Sequence, residues 1–255
     1  MTQRFDSLAK FARENAPSKR IALSMNLIGD GVGGLEKIGG MAVPHVFQKH
    51  PNLAETLKKG VVTDPILMMI DLSPFSEVVK ELTAEEIADF LDAYYNLVGK
   101  RVDINHGIVE KYIGDAVIAL FGAPFENTTT KSRLSNTIAI SRDLIKEISM
   151  KFKRQVTAKV ALVHGDSFLG YVGPPQHREL TVIGNALTML FRIESICPES
   201  SLIIQKDLYN NNIDSTEFPI VPSGTPGVEW TQNEIRPDLK GVGPVSLYTF
   251  TYDGV

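Results

Sequence analysis

The sequence predicts an α+β fold, because its strands and helices mix without the strict alternation of a doubly wound sheet. An apolar run over residues 66–71 and a hairpin over 108–121 predict parts of one sheet. Stretches with apolar residues at helical spacing flank the hairpin. With 255 residues, of which 43% are hydrophobic, the chain is long enough for one domain and an extension.

The first 60 residues are predicted to form an N-terminal extension. Apolar residues spaced along one face predict a helix over residues 1–19, and a mixed, glycine-rich segment follows over 20–60. The pattern Gly-x-Gly-x-x-Gly occurs at 29–34, but two glycines at 39–40 would interrupt the helix that a dinucleotide site requires. We therefore interpret this pattern as a loop.

The main domain is predicted over residues 61–252 and begins with the strand over 66–71, which follows an Asp-Pro pair. A capping box at 83–86 predicts the start of a helix that continues towards Gly107. The hairpin over 108–121 comes next, and a Gly-Asp pair forms its turn.

Six further elements are predicted in the second half of this domain. In chain order they are a helix over 131–152, paired strands over 156–163 and 168–172, a helix over 183–196, and strands over 201–204 and 245–252. A short His-Gly-Asp connection between the first two strands is typical of antiparallel pairing rather than of a crossover.

Composition and charge exclude several classes of protein. The formal net charge of −4 argues against a protein that binds nucleic acid non-specifically. No apolar run reaches the roughly 18 residues that a membrane-spanning helix requires, and the N-terminus lacks the apolar core of a signal peptide. A single cysteine, Cys197, excludes an intrachain disulfide. We therefore expect a cytoplasmic protein that neither spans a membrane nor binds nucleic acid.

Two aspartates at strand ends are the strongest candidates for a functional site. Asp71 ends the apolar run, and Asp115 lies at the hairpin turn, four residues after Lys111. An unpaired carboxylate is costly in a hydrophobic core, whereas a pair of carboxylates can hold a divalent cation against a phosphate. These two side chains therefore indicate a site for a metal-bound phosphate compound.

Three segments of the chain carry motifs in an informative order. They are residues 67–76, which include Asp71; residues 106–124, which include Glu-Lys-Tyr-Ile-Gly-Asp; and residues 164–194, which end with Arg-Ile-Glu. In order and spacing these segments resemble the catalytic domain of class III nucleotidyl cyclases, the adenylate and guanylate cyclase family. The resemblance extends over about residues 61–252. It implies a βααββαβ core similar to polymerase palm domains, with a mostly antiparallel sheet and flanking helices.

The resemblance also implies a reaction, in which a nucleoside triphosphate is converted to a 3′,5′-cyclic nucleotide and pyrophosphate by a homodimer with active sites at its interface. Two divalent cations, Mg²⁺ or Mn²⁺, would be held by Asp71, Asp115 and the carbonyl oxygen of Leu72. Arg192 matches the family's arginine that contacts the phosphates in the transition state, and Lys240 matches its triphosphate-binding lysine.

Lys111 and Thr181 match the family positions that select the base. A lysine and a threonine suit adenine, because the lysine can donate to N1 and the hydroxyl can accept from the N6 amine. Cytosine repeats this pattern on a smaller ring, guanine presents the opposite pattern, and uracil fits less well. The pair therefore favours ATP, leaves CTP open and disfavours GTP.

Two departures from the family pattern leave alternatives open. Thr188 takes the place of the ribose-orienting asparagine, and Leu180 takes the place of an aromatic residue. They fit a divergent branch, such as bacterial cyclases that make cyclic pyrimidine nucleotides from CTP or UTP in antiphage signalling. Thr188 also leaves open a catalytically silent, regulatory cyclase-like module, although two costly carboxylates favour the enzyme. A diguanylate cyclase is disfavoured, because the turn at 113–116 lacks the Gly-Gly-Asp/Glu-Glu-Phe signature.

Overall fold

The computed structural model describes residues 53–122, 124, 128–152, 155–174, 176–214, 218 and 229–254. The predicted helix over 1–19 and the glycine pattern at 29–34 lie outside the described residues. The helices of the described part are α1 (Leu53–Lys59), α2 (Phe75–Glu81), α3 (Ala84–Ile104), α4 (Thr130–Lys151), α5 (Asn185–Glu194) and α6 (Lys206–Asn212). No helix of this part is both long and apolar enough to cross a bilayer.

Twelve strands lie in the described part of the chain, and they form three sheets. The strands are β1 (Val61–Thr63), β2 (Ile66–Ser73), β3 (Ile108–Ile113), β4 (Ala116–Phe121), β5 (Thr157–His164), β6 (Ser167–Val172), β7 (Glu179–Ile183), β8 (Ser201–Gln205), β9 (Trp230–Ile235), β10 (Asp238–Leu239), β11 (Gly243–Pro244) and β12 (Leu247–Tyr252).

The main sheet has seven strands in the order β3-β4-β2-β5-β8-β12-β9. Only β5 and β8 run parallel; the other neighbours are antiparallel. The succession β2-α2-α3-β3-β4-α4-β5 is the predicted βααββαβ order. The predicted α+β class with a mostly antiparallel sheet is therefore confirmed.

Strand β2 lies near the middle of the main sheet and is buried on both faces. Because side chains alternate along a strand, Ile66, Met68 and Ile70 pack into the core beneath α3 and α4, whereas Leu67 and Met69 pack into a second core that α5 covers. Burial on both sides explains why β2 has a continuous apolar run instead of an alternating pattern.

The capping box predicted at 83–86 begins α3 as expected. The hydroxyl oxygen of Thr83 accepts from the backbone N–H of Glu86 at 3.3 Å, and the Glu86 carboxylate accepts from the Thr83 N–H at 3.0 Å. The predicted hairpin is also confirmed as β3 and β4, with Gly114 at a φ of +60° in its turn.

One predicted pairing is wrong. The strands expected over 156–163 and 168–172 exist as β5 and β6, but they lie in different sheets. Both edges of β5 are occupied by β2 and β8, so β6 pairs instead with β1 and β7 in a separate three-stranded sheet. The helix expected over 183–196 is shorter, because the chain forms β7 before α5 begins at Asn185.

Helix α1 falls in the part of the chain predicted as an extension. Its residue Leu57 is fully buried in the second core, where α1 lies against β6. We propose that the extension proper ends before α1, since this helix shares the hydrophobic core of the domain.

Candidate functional site

The sheet register places Asp71 directly opposite a lysine that the motif reading missed. Asp71 on β2 pairs with Lys159 on β5, and the Lys159 Nζ lies 2.9 Å from Asp71 Oδ2. The same Nζ lies 2.6 Å from Glu194 Oε1 at the end of α5. Burial opposes the charge of Lys159, but hydrogen bonds to both carboxylates outweigh it and raise the pKa of Lys159. The sequence did contain a signal for this residue, because Lys159 is the only charged residue within the apolar stretch of β5.

Asp115 lies beside Asp71 because β4 pairs with β2. The register sets Ile70 opposite Val117, so the hairpin turn falls at the end of β2. Burial of Asp115, together with the charge of Asp71, raises the pKa of Asp115 to about 7, although its own backbone N–H and that of Leu72 stabilise the carboxylate. We call Asp71, Asp115, Lys159 and Glu194 the carboxylate cluster.

The carboxylate cluster has the donor chemistry that Mg²⁺ and Mn²⁺ require. Carboxylate and carbonyl oxygens are hard ligands, and a cation between Asp71 and Asp115 would relieve the repulsion that disfavours two charges there. No group of three or more His, Cys, Asp or Glu side chains within the described ranges is placed to hold a metal. A site of two carboxylates, with water and substrate phosphates as further ligands, is typical of Mg²⁺. The carboxylate cluster therefore fits a bound Mg²⁺ or Mn²⁺ ion.

The structure brings the two predicted base-selecting residues together. Lys111 lies on β3, an edge of the main sheet, and Thr181 lies on β7, an edge of the three-stranded sheet. The Lys111 Nζ is 3.4 Å from the Thr181 hydroxyl oxygen. The contact thus joins the two sheets at their edges.

Two glutamates that sequence reasoning missed surround this contact. Glu179 Oε1 lies 2.9 Å from the Lys111 Nζ, and Glu110 Oε1 lies 3.6 Å from it. Burial opposes the charge of Lys111, but these carboxylates raise its pKa. We call Glu110, Lys111, Glu179 and Thr181 the base cluster. The sequence contained a signal for Glu110, because this acid directly precedes Lys111, the predicted base-selecting lysine.

Of the other predicted residues, Leu72 is buried in β2, whereas Thr188, Arg192 and Lys240 are exposed. Thr188 and Arg192 are four residues apart on α5, so they share one face of the helix. Lys240 lies in the turn between β10 and β11. Within the described residues, Lys240 makes no hydrogen bond or ion pair with the other predicted site residues. The structure thus brings the two predicted metal-binding aspartates together and the two predicted base-selecting residues together, places Thr188 and Arg192 on one helix, and leaves Lys240 separate.

Residues 60–229 match a family model described as the adenylate and guanylate cyclase catalytic domain. The chain belongs to this family. The match covers more than half of the sequence, and it confirms the resemblance to class III nucleotidyl cyclases that the three motif segments predicted.

The chain is also similar to known adenylate and guanylyl cyclases in sequence and in structure. The cyclase chain is 23% identical over 223 residues to the terminal-differentiation-specific adenylate cyclase of Dictyostelium discoideum; the match covers 84% of this chain but spans only 10% of that relative. The adenylyl cyclase CyaB of P. aeruginosa has a similar structure, with a TM-score of 0.61, 20% identity, and coverage of 76% of this chain and 97% of that one. The guanylyl cyclase Cya2 is similar to the same degree, with a TM-score of 0.60, 18% identity, and coverage of 76% and 95%. The shared fold therefore does not decide the base.

Proposed function

We propose that this cyclase chain converts a nucleoside triphosphate to its 3′,5′-cyclic nucleotide and pyrophosphate. The observation that carries the proposal is the convergence of Asp71 and Asp115 at the ends of two neighbouring strand segments, within a chain of the cyclase family. In the reaction the ribose 3′ oxygen forms a bond to the α-phosphorus and releases its proton to solvent. The bond from that phosphorus to the bridging oxygen breaks, and pyrophosphate leaves.

Each site residue then has a chemical task. Asp71, Asp115 and the Leu72 carbonyl would hold two divalent cations, which when bound lower the pKa of the 3′-hydroxyl and offset charge on the phosphates. The planar guanidinium of Arg192 can contact two phosphate oxygens at once, and Lys240 would bind the triphosphate as a point charge.

The base cluster supports ATP as the first substrate to test and CTP as the second. Lys111 supplies a donor for a ring nitrogen, and Thr181 supplies an acceptor for an exocyclic amine. Hydrogen bonding of this kind does not separate adenine from cytosine, whose pattern is the same. A pyrimidine cyclase that uses CTP or UTP in antiphage signalling is therefore the second candidate for the biological role.

A product assay tests the activity directly. The protein is incubated with Mn²⁺ and each of ATP, CTP, GTP and UTP, and the products are identified by mass spectrometry. A cyclic nucleotide supports the enzyme. Nucleotide binding without any product would instead support the silent regulatory module, which Thr188 at the position of the family's asparagine favours.

We also propose a homodimer in which the metal residues of one protomer face the base residues of its partner. With the preferred triphosphate as substrate, Asp71→Ala and Lys111→Ala chains would then each be nearly inactive alone, and their mixture would regain up to about a quarter of wild-type activity with it, because random exchange restores one intact site in half of the dimers. No recovery in mixtures whose heterodimers are verified by mass spectrometry would contradict shared sites.

A further inference from the structure

Glu110 is an extra residue in strand β3. The pairing with β4 sets Val109 opposite Ala119 and Lys111 opposite Ile118, so Glu110 has no partner of its own and forms a β-bulge. Neighbouring side chains on a regular strand point to opposite faces, whereas a bulge re-aims them. Here the bulge lets both Glu110 and Lys111 contact the Thr181 hydroxyl.

The contacts of Glu110 fix the direction of the Thr181 hydrogen bond. Glu110 Oε1 accepts from the Thr181 hydroxyl at 2.9 Å and from the backbone N–H of Val182 at 3.4 Å. A hydroxyl has one proton, and this contact uses it. Since the Lys111 ammonium can only donate, the Thr181 oxygen is left as an acceptor towards anything else that approaches.

The second carboxylate oxygen of Glu110 is enclosed at the same place. Its Oε2 is buried and has no hydrogen-bond partner among the residues that the structure describes, and the side chain is only 4% exposed. The enclosed carboxylate therefore has little room to turn away from Thr181, which keeps Oε1 in place as the acceptor of the hydroxyl proton.

We propose that Glu110 is a specificity-determining positioning residue, which holds Thr181 as an acceptor so that the site takes bases with an amine at the position of adenine N6 or cytosine N4. Adenine and cytosine carry such an amine next to a ring-nitrogen acceptor, whereas guanine and uracil present a carbonyl at the equivalent position. That carbonyl would face an oxygen that has no proton left to donate. This inference rests on the proposed nucleotide substrate, and it adds a third residue to the selecting pair.

The test compares wild type with Glu110→Leu, which removes the acceptor at similar size, and Glu110→Gln, whose amide oxygen can still accept from Thr181 and Val182. Glu147→Leu is the matched control, because Glu147 is a partly buried glutamate that pairs with Arg101 on other helices. Selectivity is the ratio of kcat/KM for ATP over GTP and for CTP over UTP. We expect Glu110→Leu to lower both ratios about tenfold, the order of one hydrogen bond, and the other two variants to keep them.

Two further measurements separate positioning from general damage. In a Thr181→Val background, Glu110→Leu should change the ratios no further, because Glu110 acts through that hydroxyl. Calorimetric binding of α,β-methylene analogues of the four triphosphates gives the same ratios without turnover. Glu110→Ala replaces Glu110→Leu if the leucine variant does not fold.

The outcomes distinguish this inference from the proposed activity. Unchanged ratios in Glu110→Leu, or additive effects of Glu110→Leu and Thr181→Val, overturn the role of Glu110. A wild type that makes cyclic product without any preference among bases also overturns it, while the proposed activity stands. If the wild type makes no product but binds the ATP and CTP analogues preferentially, and Glu110→Leu loses that preference, the inference stands and the proposed activity fails.

Discussion

The carboxylate cluster and the base cluster have the same motif with different balances of charge. In each, one lysine bridges two carboxylates: Lys159 contacts Asp71 and Glu194 at 2.9 and 2.6 Å, and Lys111 contacts Glu179 at 2.9 Å with Glu110 farther away at 3.6 Å. The carboxylate cluster has a further carboxyl, Asp115, for which it provides no second cation.

This difference explains how the two clusters would serve one reaction. The extra carboxyl leaves the carboxylate cluster with unrelieved repulsion, so it is suited to receive divalent cations. The base cluster is closer to internal neutrality and would use its directed hydrogen bonds to discriminate between bases. The first cluster should therefore govern whether any triphosphate reacts, and the second should govern which one does.

Substitutions in the two clusters should have their greatest effects on activity. We expect Asp71→Asn to lower kcat about 10³-fold for every triphosphate, since it removes a ligand of the cations that stabilise the transition state. Lys111→Ala should instead change the order of preference among bases. Product formation from all four triphosphates measures both effects. Equal loss for all bases in Lys111→Ala would contradict separate roles.

Lys159→Met tests the ammonium that holds the carboxylate cluster together. The substitution leaves Asp71 and Glu194 without their shared cation, and we expect it to lower the free energy of unfolding by about 2–3 kcal/mol, somewhat less than for a fully buried pair. Removal of a nearby positive charge should also increase the affinity for Mn²⁺. Urea unfolding and Mn²⁺ titration measure the two effects.

The control for this prediction is Lys206→Met, which breaks the exposed contact with Glu234 on the opposite part of the main sheet. It should change neither stability nor Mn²⁺ affinity appreciably. Weaker Mn²⁺ binding by Lys159→Met would show that the ammonium positions Asp71 for the metal, rather than competing with the metal for it.

The metal-free protein should lose stability as the pH rises through the range of Asp115. Its folded pKa of about 7 lies above the unfolded value of 3.8, so the folded state binds this proton more tightly. Stability is therefore highest below about pH 4 for this group and falls until the pH exceeds 7. Because Asp115 is partly exposed, we expect a loss of about 1–2 kcal/mol, less than the full pKa difference implies.

Urea unfolding in EDTA at pH 5 and pH 8 measures this dependence. Asp115→Asn should flatten it, whereas Asp238→Asn, which removes an exposed carboxylate outside both clusters, should not. An unchanged pH dependence in Asp115→Asn would exclude Asp115 as its source.

Thr188→Asn probes the smallest expected effect. If the side chain orients the ribose, the longer amide should raise kcat by about fivefold, because it offers better-directed donors than a hydroxyl. Thr188→Val, of similar shape to threonine but without a hydroxyl, should lower kcat. Steady-state rates with the preferred triphosphate and Mn²⁺ measure both, and equal rates in all three proteins would remove Thr188 from the site.

Local patterns in the sequence predicted much of the framework. The capping box gave the start of α3, the Gly-Asp turn gave the β3–β4 hairpin, and the apolar run gave β2, because each depends on neighbouring residues. The pairing of β5 with β6 was predicted wrongly, since a short connection does not show that both edges of β5 are already occupied.

The motifs were sufficient to identify the family, and they predicted the two aspartates and the selecting pair, because motif spacing fixes where such residues fall along their strands and turns. Only the tertiary structure decided that Lys159 lies between Asp71 and Glu194, and that Glu110 holds the Thr181 hydroxyl. Those contacts depend on sheet register, on a bulge and on the meeting of two sheet edges. Each of these side-chain contacts joins residues that are 35 or more positions apart, which local propensity does not encode.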